Sequence, residues 1–489
     1  MSEASFILPA GAGVTFPVVD GKRRTTPVGR AVLADAARAV DPELGRRIEA
    51  TANWRSGYMG AVRDLTAASA RSADTALGIA RAGLDSARER LVFDREGREV
   101  PLAATGAVAP AIGLGTETVA GEAPAVTELR LPFGGRELAG DELVARLDGW
   151  VAAKAIEPSA AQALRRVIEH PEWLALPGRC VVVVGAASEM GPLEPLSAWG
   201  AHVLAVDLPA PAIAERLEAT AGRGAGRVHL PVLPDGARGA DLVRMVPEVA
   251  AWIDARAGGE ALVLGMYAYA DGGAHVRLTG AFDALATALL ERRPGTALAY
   301  VATPTDAFVV PPAVVADARA AWEARGLRGT LQAPLRTLSR GRLFAPAYAG
   351  EDPVADILVE QQGPNYALAK RLQRWRGVVA AADGHPVSFN VGPPAWTRSV
   401  TRNRMLAAAY AGARHFGIEI FPPDTSRVLM AALLVHDLHA GAPAHGHPEA
   451  LFSDQAAHGG LWRAAYEPRS VLGLAALAGL PRTLLGRGH

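Results

Sequence analysis

The sequence predicts an α/β protein, a doubly wound parallel sheet with helices on both faces, preceded by a helix-rich N-terminal domain. From Arg179 onward, short β-branched runs alternate with Ala-rich stretches of helical length. The first two runs, "RCVVVV" and "HVLAVD", are joined by a small-residue turn and a helix-compatible segment, the layout of a right-handed parallel strand-helix-strand unit. Ahead of Arg179 the pattern is mostly helical.

Residues 1–175 run through helical patterns from "LADAARAVDPELGRR" to "GLDSARERLVF", then a Gly/Ala/Pro-rich stretch near "PLAATGAVAPAIGLGTETVAGEAP", then a helical region ending near "RRVIEHPEWLAL". They read as a helix-rich domain or as a cap packed on the sheet. In residues 176–489 further strands are expected at "RVHLPVL", "EALVLGMYA", "TALAYVAT", "PVSFNV" and "FGIEIF", separated by helices such as "ADLVRMVPEVAAWIDAR" and "GAFDALATALLERR".

Composition narrows the function. A chain of 489 residues with 50% apolar and 20% charged content can bury a large core. Zero formal net charge and the lack of a basic stripe argue against a nucleic-acid partner. Cys180 is the only cysteine, so one chain can build neither a disulfide nor a thiolate cluster, and a buried strand-edge thiol is expected. The segment "MSEASFILPAGAG" has no basic region and no apolar run is long enough to span a bilayer, so a cytoplasmic protein without a membrane span is expected. "SVLGLAALAGL" near the C-terminus reads as core or subunit contact, in keeping with an expected homo-oligomer.

Lys370 is one of three lysines, with Lys22 and Lys154, although Lys and Arg together number 50. It follows Tyr366 by four residues in "PNYALAKR", which puts a phenol and an ammonium on one helix face. A cation held there favours phenolate, and a tyrosine tuned toward neutrality can act as a general acid or base. In "VVGAASEMGP", Gly185 and Gly191 bracket the turn after the first strand, where backbone can approach a pyrophosphate, and Ser188 can add a hydroxyl. Asp207 closes the second strand, where a carboxylate accepts ribose hydroxyls and repels an added phosphate; NAD is therefore expected ahead of NADP.

Taken in order, "VGAASEMG", "RLTGAFDALATALLERRPGTALAYVATPT", "YALAK" and "VSFNVGPPAWTRS" resemble the short-chain dehydrogenase/reductase family in a divergent form, over roughly residues 179 to 425. The resemblance implies a Rossmann-type sheet, a nicotinamide cofactor, and a small-molecule carbonyl or secondary alcohol as substrate. It makes Tyr366 the proton donor or acceptor, and Lys370 the group that lowers its pKa and binds the nicotinamide ribose. Thr303, with Thr305 behind it, stands nearest the family's serine, and Arg277 takes the place of its relay asparagine. Gly185, Ser188, Met190, Gly191, Asp207, Gly265, Pro393 and Thr397 are the implied cofactor contacts, with Ser399 beside Thr397.

Some 60 residues separate Thr303 from Tyr366, an insertion near 306–362 that is expected to cover substrate or to form a subunit arm. His436, Asp437, His439, His445 and His447 read as a polar loop rather than a metal site, because Pro443 and the glycines break helical spacing. The leading expectation is an NAD(H)-linked oxidoreductase. A non-catalytic nucleotide sensor or scaffold of the same fold, and a lyase or epimerase using bound NAD without net redox change, are the alternatives.

Overall fold

The computed structural model describes residues 13–441 and 446–484. Its centre is a seven-stranded sheet: β1 (Gly115–Ala120), β2 (Arg179–Val184), β3 (His202–Val206), β4 (Arg227–Val232), β5 (Ala261–Met266), β6 (Ala297–Ala302) and β7 (Val387–Val391). The spatial order is β7-β6-β5-β2-β3-β4-β1, with β2 to β7 parallel and β1 antiparallel at the edge. Among the parallel strands the order reverses between β2 and β5, so the crevice of a doubly wound sheet opens above their carboxyl ends.

Both faces of the sheet are covered, which is why its strands read as continuous apolar runs. Side chains alternate between faces with period two. Val182, Val184, Leu204, Leu264 and Met266 enter one core, whereas Val181, Val183, Val203, Ala205 and Val263 enter the other. Full burial of each such side chain is worth about 1.5–3 kcal/mol.

The helices between residues 25 and 90 share the first of these cores. Helices Thr25–Arg38, Trp54–Ser69 and Ala73–Arg90 pack with Gly273–Arg292 and Gly363–Ala382. Gly83 lies so close to Trp375 that an added Cβ would stand 2.3 Å from the ring. Asp283 ties the layers together, accepting from Arg88 Nε at 2.8 Å and from Arg376 Nε at 2.6 Å. Helices Gly140–Ala152 and Pro158–Glu169 share the second core, and Gly115–Ala120 lends the sheet its edge strand β1.

Three local expectations change. The Gly/Ala/Pro-rich stretch contains β1, whose half-exposed "GTETVA" lacks a strong strand pattern and is held by pairing with β4. "FGIEIF" is not a strand; only Phe421 forms an isolated bridge, to Ala395. Helix Pro423–Ala440 continues through His436, Asp437 and His439, so these are not loop residues; His445 lies outside the described residues.

The insertion is organised. Strands Ala307–Val309 and Val354–Asp356 pair antiparallel, and helices Pro312–Glu323 and Gly326–Leu338 lie between them. The second helix leaves Leu327, Leu331, Leu335 and Leu338 exposed. The segment is fastened to residues near the C-terminus: Tyr348 donates to Trp462 O at 2.7 Å, and Arg463 pairs with both Asp317 and Glu157. Helix Pro468–Leu484, which holds "SVLGLAALAGL", packs on Arg404–Ala413 so closely that a Cβ on Gly412 would meet Ala475 O at 1.9 Å. Among the described residues no helix is long and apolar enough to cross a membrane.

Candidate functional site

The turn after β2 has the positive φ that favours glycine: Gly185 sits at φ 79°. Its missing side chain is needed for packing, because a Cβ there would stand 2.4 Å from Ala268 in the loop after β5. A Cβ on Gly191 would meet Ser188 Oγ at 2.7 Å, and that hydroxyl is itself buried without a partner. Met190 is half-buried in the same turn. Asp207 accepts from the backbone N–H of Ala187 and of Leu208, each at 2.8 Å, which ties the end of β3 to this turn. The helix that follows spans only Leu193–Ala198, behind Pro192. Glu189 reaches across and accepts the Arg398 N–H at 2.9 Å, joining the turn to the Thr397 segment.

Tyr366 and Lys370 lie on the first turns of helix Gly363–Ala382, whose N-terminus stands at the carboxyl edge of the sheet. Lys370 Nζ is 5.6 Å from the centre of the Tyr366 ring and donates to Gln373 Oε1 at 3.1 Å. Gln373 in turn reaches Thr279 Oγ1 at 3.5 Å. Burial pulls the ammonium down to about 8, against the opposing charge of Asp306. The phenol moves the other way from the expectation. Burial raises it above its ordinary value, and Asp306, Tyr269 and Tyr410 add to the rise. A desolvated phenolate is costly, and the ammonium directs one N–H to Gln373. Tyr366 therefore holds its proton at neutral pH.

His275 completes the cluster, and sequence reasoning missed it. Its ring is stacked on Tyr366, with centroids 5.7 Å apart and planes 19° from parallel, and Tyr269 packs against both. Burial, then the nearby Lys370, lowers the imidazole to about 3, so it is neutral. The Ala270 N–H points at Nδ1 at 3.4 Å, which assigns the ring proton to Nε2. That Nε2 is buried and has no partner. An unmet buried donor costs about 1–3 kcal/mol, which a bound acceptor recovers. In "GGAHVRL" nothing but the residue type could have flagged this histidine.

The other expected site residues are dispersed. Arg277 turns away and donates through Nε to Val14 O at 2.6 Å, fastening the N-terminal cap. Thr303 Oγ1 pairs with Thr305 Oγ1 at 2.8 Å, and Gln362, one residue ahead of the helix, donates to Thr305 O at 2.7 Å. Gly265 makes room for a neighbour's ring, since a Cβ would meet Tyr267 Cε2 at 2.4 Å. Pro393 is buried beyond β7, and Thr397 Oγ1 pairs with Ser399 Oγ at 2.9 Å. Of the histidine-rich segment, His436 contacts Asp437 at 3.2 Å and His439 stacks on Trp173, so these two rings are engaged in packing.

Behind Tyr366 lies a buried ion network that the sequence did not announce. Asp306 pairs with Arg371 and, at 3.6 Å, with Arg374, which also pairs with Glu449 at 2.6 Å. Two carboxylates balance two guanidinium groups there, and Thr66 and Ser69 of the cap add hydrogen bonds to Arg371 and Glu449.

No model of a known protein family matches the chain, and no curated protein matches it.

Proposed function

We propose that the protein is a nicotinamide-dinucleotide-linked oxidoreductase that interconverts a carbonyl and a secondary alcohol, with NAD preferred over NADP. The observation that carries this reading is the unpaired His275 Nε2–H beside Tyr366 and Lys370, one loop from the Gly185 turn. The order of the parallel strands, the short-chain dehydrogenase/reductase resemblance and the Asp207 carboxylate at the end of β3 support it.

The orphaned Ser188 hydroxyl fits a phosphate acceptor at the turn, and Asp207 is suited to ribose hydroxyls. The dinucleotide, when bound, supplies or accepts the hydride. Tyr366 holds a proton ready for the substrate oxygen in the reducing direction. His275 Nε2–H donates a hydrogen bond to that oxygen, in place of the serine that the resemblance leaves without a match. A neutral imidazole polarises a carbonyl without giving up its proton. Lys370 adds positive charge nearby while it stays protonated.

Calorimetric titration with NAD(H) and NADP(H), followed by a carbonyl and alcohol panel read by cofactor absorbance, tests the proposal. Tight NADH binding with turnover, and a loss of at least about 100-fold in turnover for Tyr366→Phe with cofactor affinity kept, are the expected results. No binding of either dinucleotide refutes the reading. A second reading, a dinucleotide sensor without turnover, draws on Arg277, which takes the place of the relay asparagine and donates to Val14 O. Binding without oxidation of NADH by any carbonyl would favour it.

A further inference from the structure

Cys180, His202 and Glu260 meet at the amino-terminal edge of the sheet, the edge opposite to Tyr366. Strand register brings two of them together, since His202 and Leu262 both pair with Cys180, and Glu260 lies just ahead of the strand that carries Leu262. One donor atom from each, a sulfur, an imidazole nitrogen and a carboxylate oxygen, lies within 4.8 Å of the others. His202 Nδ1 is bonded to Glu260 Oε2 at 2.5 Å, while its Nε2 is buried without a partner. His229 stands edge-on to His202 with ring centroids 5.0 Å apart, and Thr118 Oγ1 holds its Nδ1 at 2.7 Å.

We propose that this cluster is a structural site for a zinc-type divalent cation, with Cys180, His202 and Glu260 as ligands. The donor chemistry selects the ion. Sulfur with imidazole and carboxylate suits zinc, whereas magnesium and calcium take oxygen donors. Zinc bonds of about 2.0–2.3 Å put neighbouring donors roughly 3.3–3.8 Å apart, so on loading His202 Nδ1 and Glu260 Oε2, now 2.5 Å apart, part to admit the ion beside the sulfur. Side-chain rotation of His202 and Glu260, which sit at strand ends, supplies that movement. As the sulfur–metal bond forms, the thiol proton passes to solvent, and the thiolate and carboxylate together neutralise the dication.

Such an ion would tie β2, β3 and β5 together near their amino-terminal ends. It is remote from the proposed oxidoreductase chemistry and independent of it.

The full chain, stripped with chelator and reloaded, provides the test. One tightly held zinc per chain by elemental analysis is expected. Cobalt in its place should give a thiolate-to-cobalt charge-transfer band that is absent in Cys180→Ser. His202→Ala, which removes a direct ligand, should weaken zinc binding by at least about 100-fold. Glu260→Gln, at a more exposed position, serves as a further variant should Cys180→Ser fail to fold, and it should also bind zinc more weakly. Zinc well below one per chain, a cobalt spectrum without the thiolate band, or full zinc retention in the folded variants overturns the proposal.

Discussion

Replacing Glu157 by Gln removes the charge from a carboxylate that joins two distant parts of the chain. Glu157 accepts from His458 Nε2 at 2.8 Å, and from Arg463 Nε at 2.9 Å and Nη2 at 2.6 Å. Burial pushes its pKa up, but the hydrogen bonds from His458 and Arg463 outweigh this and hold it at about 2 instead of 4.5. The His458 imidazole is neutral, pulled down by burial, and the Gly460 N–H at its Nδ1 leaves Nε2 as the donor to Glu157. A carboxylate depressed on folding gives stability that is full above its unfolded pKa and is lost as pH falls toward the folded value. A shift from 4.5 to about 2 corresponds to about 3 kcal/mol at pH 7, most of which survives until the pH falls below the unfolded value. Urea unfolding of the wild type and Glu157→Gln at pH 7, 5 and 4 measures the gap. A gap near 3 kcal/mol that narrows only below pH 5 is expected. A gap under about 1 kcal/mol at pH 7, or one that widens with acid, refutes the reasoning.

Asp306→Asn should cost about 3–5 kcal/mol, because Arg371 and Arg374 remain buried with only Glu449 to balance them; a urea midpoint close to wild type would contradict this. Dinucleotide affinity should weaken as pH rises through about 8, where Lys370 loses its proton, and should stay flat in Lys370→Arg, whose guanidinium remains charged. Calorimetric titration from pH 6.5 to 9.5 checks both arms, and matching profiles for the two proteins would remove Lys370 from cofactor binding.

The α/β pattern was legible because it is local. "RCVVVV", "HVLAVD", "RVHLPVL", "EALVLGMYA", "TALAYVAT" and "PVSFNV" are strands since buried parallel strands need unbroken apolar runs. The one-turn spacing of Tyr366 and Lys370 likewise needs only a helix. "GTETVA" and "FGIEIF" misled because a strand is completed by a partner: β4 accepts the first, and no sheet accepts the second as a strand.

By itself, then, the sequence determined the run of strands and helices, the Gly185 turn and the Tyr366–Lys370 face, all set by backbone preference and hydrophobic period. Tertiary structure decided what those groups do. It turned Arg277 toward Val14, gave Lys370 to Gln373, and set His275 beside the phenol. It also raised Tyr366 where sequence spacing argued for lowering it, and gathered Cys180, His202 and Glu260 at one sheet edge. Burial and hydrogen-bond partners fix a proton's free energy, and both arise from contacts between residues far apart in the chain.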